Sequence, residues 1–108
     1  MGREAHPLFP RERLRAEALG ERLQLARLRR QVPLRDLAAR VGVSRPTIMK
    51  LEAGDPSISL DVLIRVLQVL SLIDDLDKIA AEDQIGRRLE DLKLSRSPRL
   101  RKPIPRKS

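Results

Sequence analysis

The sequence predicts an all-α fold: a five-helix domain with flexible basic extensions at both ends. Three observations carry that expectation. Apolar residues recur at helical spacing from Leu19 onwards, and no stretch alternates with the period of two that a strand requires. Pro33, Gly42, Gly54 and Pro56 fall between the periodic stretches, where they end one helix and admit the next. Of the 108 residues, 41% are hydrophobic, which suffices for one helical core of about 70 residues. The expected divisions are an N-terminal arm over 1–14, the helical domain over 15–83, and a short amphipathic piece with a basic tail over 84–108.

Residues 1–13 contain Pro7 and Pro10 and little periodicity, so they read as an arm. Helix 1 starts at Pro10 or Arg15 and carries Leu19, Leu23, Ala26 and Arg30 on one face, running to about Gln31. Pro33 ends it or opens the next helix. Helix 2 is expected over 34–41 and helix 3 over 45–53. Gly54 and Pro56 close helix 3, and Ser59 is placed to cap helix 4 over 60–71. Helix 4 is apolar nearly all round, so it either faces a second subunit or sits centrally, wrapped by its own neighbours. Asp74 and Asp75 suit the N-terminus of helix 5 over 74–82, where acids complement the helix dipole. Ile85, Leu89 and Leu92 mark a weaker amphipathic piece. From Leu94 on, the Pro- and Arg-rich tail is expected to be disordered when free.

The densest signals lie between Leu37 and Glu52. Leu37, Ala38 and Val41 give helix 2 an inner face, and Gly42 tolerates the left-handed conformation that ends it. Ser44 is a good N-cap, and Pro46 falls in the first turn of helix 3, where its missing N–H costs nothing. Two short helices around a Gly-containing corner form the helix-turn-helix unit, whose second helix enters the DNA major groove. On a helical wheel Ile48, Leu51 and Glu52 cluster inward. Pro46, Met49 and Lys50 point outward, with Arg45 and Thr47 on the flanks. Arg45 can donate a bidentate pair to guanine, Lys50 can reach a guanine or a phosphate, and Thr47 and Met49 can meet a thymine methyl. Ser44 and the helix N-terminus suit a phosphate. Arg35 and Arg40 are candidates for the flanking backbone.

The net charge is +8, and its distribution follows the same plan. Residues 86–108 carry nine basic groups against two acidic ones, and residues 1–15 four against two. Within the domain, residues 16–50 hold eight basic and three acidic groups, whereas 51–85 hold two and eight. Either this polarity orients the basic half towards a polyanion, or the two faces are simply solvated. The extensions read equally as groove-following arms or as solubilising tails.

Composition excludes much else. Phe9 is the sole aromatic residue, which leaves no stacking platform for single-stranded nucleic acid. Cysteine is absent and His6 is the single histidine, so no disulfide, zinc site or catalytic triad is expected. No nucleophile–base pair or phosphate-binding Gly loop appears, so no enzyme activity and no cofactor is expected. No apolar run approaches the length of a membrane span, and the N-terminus lacks a signal-peptide core. The expected location is the cytoplasm.

Leu19-Gly20, Leu23, Arg27, Leu37-Ala38, Gly42-Val43-Ser44, Thr47-Ile48, Leu51-Glu52, Gly54, Pro56, Leu60, Leu63 and Leu67 form an ordered series of spacings. Over 19–71 the chain thereby resembles the lambda-repressor-like family of Cro/C1-type (Xre) helix-turn-helix DNA-binding proteins. The stretch Leu51-Glu-Ala-Gly-Asp-Pro-Ser-Ile-Ser-Leu-Asp-Val-Leu63 further resembles HipB-like regulators found beside a kinase-type toxin. The resemblance implies a five-helix bundle, a dimer and a palindromic operator. It places Ser44, Arg45, Pro46, Thr47 and Lys50 at DNA and makes Arg27 and Glu52 a buried structural pair between helices 1 and 3. Pro33 and Leu34 depart from the family, which often has a polar cap and Gln there for phosphate contacts. Pro46 likewise replaces a common side-chain donor.

Together these readings predict a homodimeric regulator of double-stranded DNA, contacting it through Arg35, Ser44, Arg45, Pro46, Thr47, Met49 and Lys50. Its dimer seam is expected on helices 4 and 5, at Leu60, Ile64, Leu67, Leu72, Leu76 and Ile79. The alternative is a HipB-like antitoxin whose main role is to hold a toxin kinase.

Overall fold

A computed structural model describes residues 7–94. In chain order they form α1 (Pro10–Arg29), α2 (Leu34–Val41), α3 (Arg45–Glu52), α4 (Leu60–Val69), a 3₁₀ helix (Ile73–Lys78) and α5 (Gln84–Leu94). No strand occurs among the described residues. The chain divides into one compact unit ending at Leu76 and a second beginning at Asp77. The expectations for residues 1–6 of the arm and for the basic tail beyond Leu94 lie outside the described residues.

The first helix begins at Pro10, the earlier of the two expected starts, so residues 10–14 are helical. Glu12 stabilises this start: its carboxylate accepts the Phe9 N–H at 2.9 Å, satisfying a donor that no helical carbonyl can reach. Phe9 has no side-chain acceptor, so only half of a capping box forms.

The four helices of the first unit all end by one device. The N–H two residues past the cap returns to the carbonyl three residues before it, and the intervening residue turns left-handed. The closing bonds are Val32 to Arg27 (3.2 Å), Val43 to Ala38 (3.0 Å), Asp55 to Lys50 (2.9 Å) and Leu72 to Leu67 (2.7 Å). Gly42 and Gly54 hold the left-handed position after α2 and α3, but Gln31 (φ 54°) and Ser71 (φ 62°) hold it after α1 and α4. A side chain there strains against its own backbone. Gln31→Gly and Ser71→Gly are each expected to raise stability by about 0.5–1 kcal/mol in urea unfolding.

The core draws on every α-helix of this unit. Leu23 and Ala26 from α1, Leu37, Ala38 and Val41 from α2, Ile48 and Leu51 from α3, and Val62, Val66 and Leu67 from α4 form one cluster, closed by Leu70. α3 packs on α1 and α2, and α4 on α2.

Three expectations are corrected here. Leu67, expected at a subunit seam, is buried in its own chain's core, and Leu72 and Leu76 pack half-buried against that core. A helix apolar all round carries no phase, so its sequence does not tell which stripe turns inward. Leu60 and Ile64 remain on the outer side, Leu60 64% exposed. Second, Ser59 stands at the N-cap of α4, but its hydroxyl makes no cap and instead donates to the Asp61 carboxylate. That bond holds the Asp61 pKa below its ordinary value. Third, the segment expected as helix 5 over 74–82 is the 3₁₀ helix, ended before a left-handed Ala80. Ile73 and Leu76, one 3₁₀ turn apart, both pack half-buried on the core, whereas Ile79 lies exposed, so the apolar spacing suits the tighter helix.

In the second unit α5 buries none of its residues. Asp83 accepts the Gly86 N–H at 3.1 Å at its start, and Ile85, Leu89 and Leu92 lie exposed along one side. Ile79, expected in the dimer seam, is 69% exposed.

Candidate nucleic-acid interface

α3 is eight residues long, so its usefulness as a reading element depends on what fixes it. Its N-terminus is set by the corner: Gly42 at φ 85° turns the chain out of α2, and half-buried Val43 packs against the core. The Ser44 hydroxyl then accepts the Thr47 N–H at 3.3 Å and lies 3.0 Å from the Thr47 hydroxyl. Arg45 and Pro46 follow in the first turn, where a proline needs no hydrogen-bond partner.

Its C-terminus is seated on α1. A Cβ on Gly20 would lie 2.5 Å from the Glu52 carbonyl oxygen, and one on Gly54 would lie 2.6 Å from the Glu17 Cα. The two backbones therefore touch where only glycine leaves room. Two α1 turns beyond Gly20, Arg27 Nε donates to Glu52 Oε2 at 2.7 Å and Nη2 to Oε1 at 3.0 Å. Arg27 Nη1 also donates to the Val32 carbonyl at 3.1 Å, so one side chain ties α3 to α1 and to the loop before α2. Both partners are buried. The Glu52 hydrogen bonds hold the Arg27 pKa above its ordinary value, against the opposing effect of burial. The pair implied by the family resemblance is thus present, with bidentate geometry.

With both ends fixed, the outer side of α3 is determined. Ile48 and Leu51 face the core, while Arg45, Pro46, Met49 and Lys50 are exposed and Thr47 is half-buried. Met49 is 56% exposed, high for an apolar residue on a packed helix. Neither Arg45 nor Lys50 forms an ion pair with any described residue, and no acid stands in the first turn. The helix N-terminus and two free cations therefore share one surface, suited to phosphates and base edges. Arg35 is exposed in the first turn of α2, with Nε 3.8 Å from the Asp36 carboxylate, and Arg40 is exposed near the end of α2.

Arg65 is a positioning residue that the sequence reading passed over. Its Nη1 donates to the Val41 carbonyl at 3.3 Å and its Nη2 pairs with Asp61 at 3.1 Å, so α4 holds the last turn of α2 at the corner. The i, i+4 spacing of Asp61 and Arg65 was a visible signal for the ion pair, though not for the carbonyl contact. On the loop after α3, the Ser57 N–H donates to Asp55 at 2.9 Å, which holds the Asp55 pKa below its ordinary value.

Among the described residues no cluster of histidine, cysteine, aspartate or glutamate could hold a metal ion, and no helix is long and apolar enough to cross a membrane. Neither the curated proteins nor the solved structures give a match. Residues 18–78, more than half of the chain, match the family model described as a helix-turn-helix domain. That stretch holds the corner, α3 and the Gly20 and Arg27 contacts that seat it, and the chain belongs to the helix-turn-helix domain family.

Proposed function

We propose that this protein is a sequence-specific regulator of transcription that binds double-stranded DNA through α3. In this reading it is a dimeric cytoplasmic repressor of the Cro/C1 type on a pseudo-palindromic operator. One observation carries the reading: Arg45, Pro46, Met49 and Lys50 stand exposed on a helix whose two ends are fixed by the corner and by α1. Arg45 reads a guanine edge, Lys50 takes a guanine or phosphate, and Thr47 and Met49 offer contacts to a thymine methyl. Ser44 and the α3 N-terminus anchor a phosphate, with Arg35 on the flanking backbone. Two copies joined through the outer side of α4, at Leu60 and Ile64, would present two such helices to half-sites roughly 34–36 Å apart.

Selection of bound duplexes from a random library at physiological salt tests this directly, and a palindrome is the expected product. On the selected duplex, Arg45→Ala is expected to cost about 1–3 kcal/mol and relax preference at one position, and Lys50→Ala, if Lys50 contacts a phosphate, to weaken all sequences and lower the salt slope by about one. Undiminished selectivity in Arg45→Ala, measured by anisotropy titration, would remove the assignment. A HipB-like antitoxin role rests on the Leu51–Leu63 sequence pattern, and co-purification with a co-encoded kinase would favour it.

A further inference from the structure

The first helix carries two apolar faces, and the core uses only one. Leu19, Leu23 and Ala26 turn inward against α3 and the core. On the opposite side Leu14, Leu25 and Leu28 are 66%, 41% and 52% exposed, with Ala18 exposed between them. These four, with Glu21, follow one another at spacings of four, three, four and three residues, the a/d pattern of a helix that packs along another helix. From Leu14 to Leu28 the stripe runs about 21 Å.

Charge selects the occupant. Arg15, Arg22 and Arg29 stand seven residues apart along one edge of the stripe, all exposed, and none forms an ion pair with a described residue. The other edge holds Glu17 and Gln24. A second copy fits poorly. Laid antiparallel, it would set the arginine edge against itself, and laid parallel, it would stack Glu21 on Glu21 and Arg11 on Arg11 in the seam. A helix with leucine-like residues on its seam and carboxylates along its edges fits, because Arg15, Arg22 and Arg29 each gain a partner while Glu17 alone on the other edge meets a like charge.

We propose that the outer face of α1 is a docking surface for an acidic amphipathic helix of another protein. The stripe lies on the side of α1 turned away from α3, so its occupant leaves Arg45, Met49 and Lys50 uncovered. DNA and the partner helix can then be held together. This inference rests on α1 alone and stands whether or not the operator reading does.

The test uses the full chain and two labelled three-heptad peptides with leucine at every a and d position. One carries glutamate at e and g, the other lysine. The glutamate peptide is expected to bind at least about tenfold more tightly, with the difference shrinking as salt is raised. The charge reversal Arg15→Glu/Arg22→Glu/Arg29→Glu is expected to invert the preference, and Leu25→Glu to abolish binding of both peptides. These side chains are exposed, and far-UV circular dichroism checks that each variant keeps its fold. Equal affinity for the two peptides, a preference that survives charge reversal, or no binding of either overturns the proposal. So does a dimer in sedimentation velocity that Leu25→Glu converts to monomer, since a second copy would then occupy the face.

Discussion

Glu52→Ala is expected to destabilise the domain by about 3–5 kcal/mol, the cost of stranding a buried charge. Arg27 is 7% exposed, and both nitrogens that it gives to Glu52 would lose their protein acceptor. Native domains are held by only about 5–15 kcal/mol in total, so the loss is a large share of the stability and lowers the unfolding midpoint accordingly. Replacing both partners, as Arg27→Met with Glu52→Leu, removes the stranded charge together with its acceptor. That double variant is expected to recover most of the loss, because apolar pairs of similar volume often equal or exceed a buried ion pair. Urea unfolding of the parent, the two single variants and the double variant closes the cycle. Single variants each within about 1 kcal/mol of the parent would show that the pair is no structural tether.

Gly20→Val is the second large effect, and its sign opposes local propensity. A glycine inside a helix ordinarily costs about 1 kcal/mol relative to alanine, so substitution there tends to stabilise. At Gly20 a Cβ would meet the Glu52 carbonyl oxygen at 2.5 Å and the Leu51 carbonyl oxygen at 2.7 Å. Both obstacles are backbone, which cannot rotate aside as a side chain can. α1 and α3 would have to separate, loosening the Arg27–Glu52 contact nearby. Gly20→Ala is expected to lose about 1–3 kcal/mol and Gly20→Val more, read from the midpoint of thermal unfolding. DNA affinity should fall with stability, since α3 takes its position from this contact. A stabilised Gly20→Ala would mean that the two backbones have room to part.

These two sites mark how far the sequence could be read. The limits of α2 and α3 were legible because each rests on residues with a single conformational use: Gly42 to leave one helix, Ser44 and Pro46 to start the next. The exposure of Arg45, Met49 and Lys50 followed from periodicity once α3 was placed, because Ile48 and Leu51 fix its inner side. Gly20 was not legible as a contact, since a helical glycine looks like a propensity defect until the facing backbone is known. Leu67 was misplaced for want of phase in α4. The left-handed Gln31 and Ser71 left no trace, because neither residue type signals that conformation. The Arg27–Glu52 pair came only through the family resemblance, as twenty-five residues separate the partners.

The short length of α3 sets a limit of a different kind, on information. Eight residues make a rod about 12 Å long, which spans three to four base pairs at about 3.4 Å each. At no more than two bits per pair, one copy distinguishes roughly one site in 250, and the proposed dimer would reach about 16 bits. A genome offers on the order of 10⁶ or more competing positions, which demands about 20 bits. On that reading the missing bits would come from DNA outside the reach of α3, for example through the stiffness and groove width of the flanking sequence. Operators of the proposed dimer would accordingly share base composition beyond their half-sites.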